Sequence, residues 1–482
     1  MAHLPHLFSP VMLGKVEIRN RIAMPPMHTG FGGEDGSITE RIIDYYEARA
    51  RGGAGLIIVE VSLPNGVRKY VPKTLGLFDD SQIAGWSKLV KRIRAQGARV
   101  AVQILDPGPG SRSALSGRQP MGPSPVAERD IRELPREMTI EEIEEVIKDF
   151  AEAARRAREA GLDAIEIHAA HGYAMVGSFL SSYYNKRTDE YGGSLEGRAK
   201  FLVDMLQAIR QKVGQDFPVI VRISGDDRVP GGRTLQETQF LAPMIVEAGA
   251  SALEISGGTV PNAFWAVVPP AGTPLALNAE YARAVKQAVD VPVICVGRIN
   301  SPKLAEFVLE SQKADMVSMG RALMADPEMP NKAQTGNFED IVPCIGDNQG
   351  CLTDPFGKID TSCTMNPALG REKEMVIAPA SVQKRVVVAG GGPAGLEAAR
   401  VAALRGHDVT LLEKEGKLGG QINIASVPPG KQEISQMVKY LSRQVEKAGV
   451  RVELNTSVTP DRVEELKPVC MGGMAIRFLI ST

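Results

Sequence analysis

Short apolar runs that alternate with amphipathic stretches constrain the fold of this chain more than any other feature. Such runs occupy residues 21–26, 55–61, 99–105, 164–170, 218–224, 252–258, 292–298 and 316–320. Helical patterns lie between them, as at residues 139–160, 194–213 and 234–248. Eight strands that alternate with helices predict a (β/α)8 TIM barrel in the α/β class. An open doubly wound sheet is the alternative, but no Gly-rich dinucleotide turn follows the first run.

The remainder of the chain has a different character. Residues 339–383 are rich in Gly, Pro, Asn and Cys and show little helical period, which suggests a cluster-binding linker. A new βαβ pattern begins at residue 384, and we predict strands at 385–389, 408–412 and 450–458, with helices at 393–405 and 460–466. Residues 469–475 do not read as a further strand, so we expect a partial, truncated Rossmann-like domain. The predicted domains are therefore 1–338, 339–383 and 384–482.

Composition excludes several classes of protein. The net charge is −1 and no basic run occurs, which argues against nucleic acid as a partner. No stretch approaches the roughly 20 apolar residues that span a bilayer, so we expect no membrane association. Five cysteines in 482 residues are too few for a disulfide framework, and we expect a reducing, cytoplasmic setting. The sequence leaves the oligomeric state open.

Two histidines and a tyrosine lie at the end of the fourth run and directly after it. His168, His171 and Tyr173 lie at the C-terminal end of a predicted strand, where parallel barrels carry their chemistry. Two imidazole N–H groups suit a developing oxyanion, and a phenol beside them can supply a proton. The alternative is that both histidines are ordinary loop residues. The polar run at 185–194 favours the catalytic interpretation.

Gln103 ends the third run and Arg222 lies in the fifth. An amide and a guanidinium in a barrel mouth suit the pyrimidine edge of a flavin, where Arg222 would stabilise negative charge on the reduced ring. The alternative for Arg222 is an internal ion pair.

The last two runs end in Gly-Arg pairs, Gly297-Arg298 and Gly320-Arg321. Glycine lets the backbone approach a phosphate closely, and arginine binds a phosphate through two parallel hydrogen bonds. Because the loops after the seventh and eighth strands form the phosphate site of many barrels, the two pairs predict such a site.

Cys344, Cys351 and Cys363 have the compact spacing of an iron–sulfur site. Three thiolates leave one iron of a four-iron cluster without cysteine. Asp347 lies three residues after Cys344, where a fourth ligand is expected. The alternative is that all three are buried structural cysteines.

Gly390, Gly392 and Gly395 directly follow a predicted strand and open a helix. This GxGxxG pattern is typical of a dinucleotide-binding turn. Glu413 ends the next strand, in the position that binds an adenosine ribose.

Several segments together resemble the old yellow enzyme superfamily, in its long branch that contains an iron–sulfur cluster. That branch includes the 2,4-dienoyl-CoA reductases, the 2-enoate reductases and trimethylamine dehydrogenase. The segments are 20–28 (NRIAMPPMH), 168–173 (HAAHGY), 185–189 (NKRTD), 191–194 (YGGS), 314–315 (AD) and 320–321 (GR).

The resemblance implies FMN in the barrel, a 4Fe–4S cluster after it (or 3Fe–4S, given Asp347), FAD on the C-terminal domain and NAD(P)H as reductant. By matching motif, the FMN contacts would be Pro25, Pro26, Met27, Gln103, Arg222, Gly297, Arg298, Gly320 and Arg321. His168 and His171 would bind a substrate carbonyl and Tyr173 would donate the proton. The implied activity is reduction of an activated C=C bond in an enone, an enoate or a dienoyl thioester.

This chain departs from the family pattern at three places. Asp347 stands where the family has a cysteine. Residues 106–109 (DPGP) replace the basic residues that usually follow the flavin glutamine. The family pattern continues well beyond residue 482. These departures keep two alternatives open, an amine dehydrogenase similar to the trimethylamine enzyme and a catalytically impaired fragment that binds flavin.

Overall fold

The computed structural model describes residues 4–127, 133–260, 262–352, 360–468 and 470–473. The chain divides into two compact units. The first comprises Met1–Pro269, Pro274–Gly336 and Asn348–Arg371, and the second comprises Pro270–Thr273, Asn337–Asp347 and Glu372–Thr482.

The first unit is a closed parallel barrel, which confirms the predicted fold. Each strand pairs in parallel with the next, and the last pairs with the first. All eight predicted runs become strands. They are β1 (Ile22–Met24), β2 (Leu56–Leu63), β3 (Arg99–Ile104), β4 (Ala164–Ala169), β5 (Val219–Ser224), β6 (Ala252–Ser256), β7 (Val293–Val296) and β8 (Met316–Ser318).

Helices connect these strands as the sequence predicts. Thr139 and Thr234 each cap a helix, with Glu142 and Glu237 completing the reciprocal capping box. The helices are α1 (Glu40–Arg51), α2 (Ile83–Arg94), α3 (Ile140–Glu159), α4 (Leu195–Val213), α5 (Leu235–Glu247), α6 (Ala279–Lys286), α7 (Pro302–Glu310), α8 (Gly320–Ala325) and α9 (Met329–Gln334). Short helices also form at Ser113–Ser116, Met175–Leu180, Phe264–Val267 and Gln349–Leu352, and short strands at Leu75–Gly76, Met121–Gly122 and Arg136–Glu137.

A hairpin that the sequence did not predict closes the N-terminal end of the barrel. Its strands are Val11–Leu13 and Val16–Ile18, and they pair antiparallel. The fully buried Leu13 and Ile18 pack against the lowest inward residues of all eight strands, which are Ala23, Leu56, Ile58, Ala101, Ala164, Ile220, Ala252, Ile294 and Met316. The N-terminal end of the barrel interior is therefore filled by apolar side chains alone.

A polar layer lies above that base. Side chains alternate along a strand with a period of two, so the residues two positions after the apolar set also point inward. These inward positions include Gln103, Glu60, Glu166, Arg222, Glu254 and Ser318, all buried. The barrel interior therefore changes from apolar to charged toward its C-terminal mouth.

The second unit contains a four-stranded parallel sheet in the order β11-β10-β9-β12. The strands are β9 (Arg385–Ala389), β10 (Asp408–Leu412), β11 (Arg451–Glu453) and β12 (Cys470–Gly473). The helices are α10 (Pro393–Leu404), α11 (Ser435–Lys447) and α12 (Pro460–Leu466), with a short helix at Ile422–Ala425. In chain order the sheet reads 3-2-1-4, as in doubly wound nucleotide-binding folds.

The expectation that no strand follows residue 466 was wrong. β12 pairs in parallel with β9, with Val386 opposite Cys470 and Ala389 opposite Gly473. The four residues of β12 carry two glycines and no β-branched side chain, so the local pattern is weak. Backbone pairing to β9 is what forms this strand.

Within the described parts of the chain, no helix is both long enough and apolar enough to cross a membrane.

Candidate active site

His168, His171 and Tyr173 come together at the C-terminal mouth of the barrel. His168 lies in β4, and the ring centroids of His168 and His171 are 5.5 Å apart. The Tyr173 ring meets His168 edge-on, also at 5.5 Å. His171 has a backbone φ of +66°, a left-handed conformation that turns the chain back over the barrel. The structure therefore brings together the three side chains that the sequence singles out.

The ring of His171 is held by the protein itself. Its Nδ1 lies 3.3 Å from the Gly258 carbonyl oxygen, which can only accept, so Nδ1 carries the proton. Nε2 then accepts from the Ser256 hydroxyl at 3.3 Å. The Ser224 hydroxyl accepts from the His171 backbone N–H at 3.0 Å and donates to Gly258. These bonds fix the position and the tautomer of His171.

One ring nitrogen of His168 makes no hydrogen bond within the described structure. Its Nδ1 is buried and has no hydrogen-bond partner in the described structure. Burial, together with His171 and Arg222, lowers the pKa of His168 well below its usual value. Burial and Arg222 lower the pKa of His171 to about 3. Both rings are therefore neutral near pH 7, and a neutral imidazole N–H can donate to a substrate oxygen without adding charge.

Two ring residues that the sequence analysis missed continue the cluster. Tyr70, from the loop after β2, has its ring 6.3 Å from that of Tyr173. His28, from the loop after β1, has its ring 6.5 Å from that of Tyr70. The cluster thus extends across the mouth from His171 to His28. His28 was noted within a motif without a role, and Tyr70 carries no local sequence signal.

A buried glutamate supports the His28 side of the mouth. Glu60 in β2 is fully buried and accepts hydrogen bonds from the Thr29 backbone N–H at 3.1 Å and the Thr29 hydroxyl at 2.7 Å. Its carboxylate lies 3.4 Å from His28 Nδ1. Burial, Tyr173 and Glu60 together raise the pKa of the Tyr70 phenol well above its usual value. Tyr70 is therefore a neutral phenol over the whole physiological pH range.

The residues predicted for the flavin edge lie in the polar layer. Gln103 Nε2 donates to Glu166 Oε2 at 2.6 Å, and Arg222 Nη1 pairs with Glu254 Oε2 at 2.7 Å. The alternative interpretation of Arg222 as an internal ion pair is thus observed. Its Nε nevertheless remains buried without a partner in the described structure. An orphaned guanidinium N–H at this depth fits a ligand that supplies an acceptor, as the pyrimidine edge of a flavin does.

The two Gly-Arg pairs occupy the ends of β7 and β8. Gly297 has a φ of +132° and Arg298 a φ of +52°, so the chain turns sharply between them. A Cβ on Gly320 would lie 2.6 Å from Met27 Sδ and 3.0 Å from Pro25 Cγ. Glycine is therefore required where the start of α8 meets the loop after β1. Arg298 and Gly320 follow the C-terminal ends of β7 and β8, and their contacts with FMN stay a prediction.

The guanidinium of Arg321 is already engaged. It donates to the Pro269 carbonyl at 2.8 Å and to Asn348 Oδ1 at 2.6 Å. Asn348 lies in a left-handed conformation, with φ +57°. In this arrangement Arg321 anchors the chain after the barrel, and its phosphate role remains a prediction.

The rim beside Gln103 carries an ion cluster in place of the usual basic residues. Arg68 Nε pairs with the buried Asp106 at 2.6 Å, and Arg68 Nη2 lies 3.2 Å from Asp149 Oδ2. The cation comes from the loop after β2 and is neutralised by two carboxylates. This rim is therefore held by internal pairing.

The predicted iron–sulfur residues divide between the two units. Cys351 and Cys363 belong to the first unit, and Cys344 and Asp347 to the second. All three cysteines are half-buried. Among the residues that the structure describes, which omit 353–359, no group of three or more His, Cys, Asp or Glu side chains is placed to hold a metal ion. The cluster therefore remains a prediction.

The glycine turn of the second unit has the expected geometry. Gly390 has a φ of +93° between β9 and α10, and a Cβ on Gly395 would overlap the Gly390 carbonyl oxygen. The buried Glu413 accepts from the Gly391 N–H at 2.6 Å. A Cβ added to Gly392 would meet no atom within 4 Å, so there is open space on that side of the turn, as an approach to a pyrophosphate needs. The three glycines fit a dinucleotide, and Glu413 braces their turn.

A parallel barrel with this mouth, followed in the chain by a dinucleotide-binding sheet, defines a flavin-dependent oxidoreductase. The chain belongs to the NADH:flavin oxidoreductase / NADH oxidase family, which it matches over residues 6–340. Residues 385–464 match the family of FAD dependent oxidoreductases. The family confirms the predicted barrel, FMN, FAD and the use of NADH.

Known relatives cover almost the whole chain. A "NADH oxidase" of Thermoanaerobacter brockii is 43% identical over 476 residues, which are 97% of this chain and 72% of the relative. A "Cinnamate reductase" of Clostridium sporogenes is 36% identical over 481 residues, with 95% and 72% covered. The solved structure of a 2-naphthoyl-CoA reductase in complex with 2-naphthoyl-CoA superposes with a TM-score of 0.93 at 32% identity, over 98% of this chain and 74% of the other.

Proposed function

We propose that this chain is an FMN-dependent reductase of activated C=C bonds, with an enone, an enoate or an enoyl or dienoyl thioester as substrate. The single observation that carries the proposal is the contact of His168 with Tyr173 at the barrel mouth. One of the two rings can bind the activating carbonyl and the other can supply a proton. Relatives that are named for a cinnamate and for an aryl-CoA support this class of substrate.

His168 binds and polarises the substrate carbonyl. Its neutral ring has an uncommitted, buried nitrogen, and a hydrogen bond to an oxyanion strengthens as negative charge develops in a site that excludes water. His171 orients the substrate side of the mouth, because its own ring nitrogens are bonded to Gly258 and Ser256. We therefore propose that His168 donates the hydrogen bond to the substrate carbonyl and that His171 is a rigidly held neighbour.

Tyr173 supplies the proton to the α-carbon. A phenol is protonated at neutral pH, and the ring of Tyr173 stands edge-on to the carbonyl donor His168. Proton donation from a positioned group contributes about 10²- to 10⁴-fold to a rate. Tyr70 packs beside Tyr173, next to the buried Val61 and Leu105.

FMN, when bound, supplies the hydride for the β-carbon of the alkene. Gln103 and Arg222 would hold its pyrimidine edge, and Gly297, Arg298 and Gly320 its phosphate end. The loop of Pro25, Pro26 and Met27 would contact the ring system. Arg222 would offer its unpartnered Nε–H to negative charge at that edge.

The second unit would receive electrons from NAD(P)H through FAD at Gly390, Gly392 and Gly395. A 4Fe–4S or 3Fe–4S cluster on Cys344, Cys351 and Cys363, with Asp347 or a solvent ligand on the fourth iron, would connect the two flavins. The cysteine spacing and the family resemblance support this cluster. Iron and sulfide analysis of anaerobically purified protein tests it independently of the ene-reductase reaction.

Absorbance spectroscopy tests the function. We expect NAD(P)H to bleach the flavin absorbance under anaerobic conditions, and cyclohexenone, cinnamate or a dienoyl-CoA to restore it. A saturated ketone of the same size is the matched control and should leave the flavin reduced. Bleaching by a tertiary amine without NAD(P)H would favour an amine dehydrogenase instead. If every activated alkene left the flavin reduced, the proposed function would be wrong.

A further inference from the structure

Two fully buried glutamates stand in the polar layer of the barrel, on strands that flank β5. Glu166 lies in β4 and Glu254 in β6, and both have no exposed surface. The strand between them contributes Arg222, which is opposite Glu254 in register. Gln103, on the other side of β4, is opposite Glu166. The function proposed above uses Gln103 and Arg222 but assigns no part to either glutamate.

The two carboxyl groups have unequal partners. Glu254 receives the Arg222 guanidinium at 2.7 Å and the Ser318 hydroxyl on its other oxygen. Glu166 receives the neutral Gln103 amide at 2.6 Å on Oε2. Its Oε1 is buried and has no hydrogen-bond partner in the described structure. The Glu254 carboxyl is thus bonded to a cation and a hydroxyl, whereas the Glu166 carboxyl is bonded to an amide and, when it carries a proton, to Glu254.

These partners decide how many of the two buried carboxyl groups can be ionised. The groups that act on the Glu166 carboxyl are Gln103, Arg222 and Glu254, so a single cation faces two carboxyl groups. Arg222 is already paired with Glu254. A second ionised carboxyl group here would be buried without a cation of its own, which is strongly unfavourable. Burial first, and then the charge of Glu254, raise the pKa of Glu166 well above its usual value.

We propose that Glu166 is a positioning residue that keeps its proton and orients the Gln103 amide toward the flavin, while Glu254 alone balances the charge of Arg222. With Nε2 of Gln103 bound to Glu166, Oε1 of Gln103 is the atom left to accept the imide N–H of a flavin. The proton on Glu166 leaves the polar layer without net charge. An ionised Glu166 would place a negative charge behind the edge that must itself become negative on reduction.

The proposal rests on FMN binding in the barrel, and matched glutamine substitutions test it. Glu166→Gln copies the shape and charge of the neutral acid. We expect this variant to keep FMN affinity within about threefold and the FMN midpoint potential close to that of the wild type. Glu254→Gln removes the charge that balances Arg222, so its reduced FMN should be bound at least tenfold more tightly relative to oxidised FMN. That ratio corresponds to a rise of about 30 mV for a two-electron couple.

Infrared spectroscopy gives a second readout that needs neither FMN nor turnover. The wild-type protein at pH 8 should show the C=O stretch of a protonated, buried carboxyl group. Glu166→Gln should lose this band, and Glu60→Gln, which removes another fully buried carboxyl group of the barrel, should keep it. Loss of FMN binding in the wild type would refute the proposed function, and the band would still report on Glu166. A rise in the potential of Glu166→Gln equal to that of Glu254→Gln, or no band that depends on Glu166, would overturn the proposal.

Discussion

A neutral His171 at acid pH is the most quantitative consequence of the site geometry. The pKa of His171 is lowered to about 3 by burial first and then by Arg222. In the unfolded chain a histidine titrates near 6.5. At pH 5 the folded ring should therefore be only about 1% protonated, while the unfolded ring is almost fully protonated. Because the unfolded state binds the extra proton, stability is lost as the pH falls below about 6.5 and continues to fall toward pH 3.

The size of the effect follows from the difference between the two pKa values. Between pH 6.5 and pH 5 the contribution is 1.5 units, or about 2 kcal/mol at 1.36 kcal/mol per unit. The variant His171→Asn removes the titrating group, and asparagine tolerates the left-handed backbone at this position. We expect the wild type to lose about 2 kcal/mol more than this variant in unfolding free energy between pH 7 and pH 5, measured by urea unfolding.

NMR of ¹³C-labelled histidine tests the same claim at the level of the ring. The chain has six histidines, and the signal that disappears in His171→Asn assigns His171. We expect that signal to stay at the neutral position from pH 8 down to pH 5. A titration midpoint between pH 6 and pH 7 in the folded protein would refute the account of His171 as a buried ring that stays neutral.

The other predictions concern the proton donor, the glycine turn and the cluster. Tyr173→Phe should lower the turnover of an activated alkene by about 10²- to 10⁴-fold and leave flavin reduction by NAD(P)H unchanged, as stopped-flow absorbance would show. Gly395→Ala should lower the unfolding temperature of the FAD-free protein, because the added methyl overlaps the Gly390 carbonyl oxygen, whereas Gly392→Ala meets open space and should not. Asp347→Cys should give a four-iron cluster that resists oxidation better than that of the wild type, by EPR and iron analysis, because thiolate is a softer ligand for iron than carboxylate. Protein that holds full FMN without iron or sulfide would contradict the cluster.

The sequence predicted the barrel well because each strand is a compact apolar run bounded by turns. It also predicted the His168, His171 and Tyr173 cluster, since the three residues are close in the chain. The N-terminal hairpin was missed because strands of three residues carry too little periodicity. β12 was missed for a similar reason, because its pairing with β9 depends on a strand more than eighty residues earlier.

The buried acids could not be assigned from sequence alone. A glutamate in a strand usually indicates a solvent-facing position, and its partner is set by register between strands. The alternation of Ala164, Glu166 and His168 does place Glu166 on the face of the histidine, so the signal was present but incomplete. The contact of Glu60 with His28 joins a residue in β2 to one in the loop after β1, which no local pattern shows.

A single-turnover experiment tests the central claim most directly. Protein whose flavin is photoreduced without oxygen should be mixed with one equivalent of an enone or an enoyl thioester, and both flavin absorbance and product should be followed. The account predicts that the flavin is reoxidised and that one saturated product forms for each FMN reoxidised. A flavin that stays reduced, or is reoxidised without saturated product, would contradict the assignment of the barrel mouth to the reduction of activated C=C bonds.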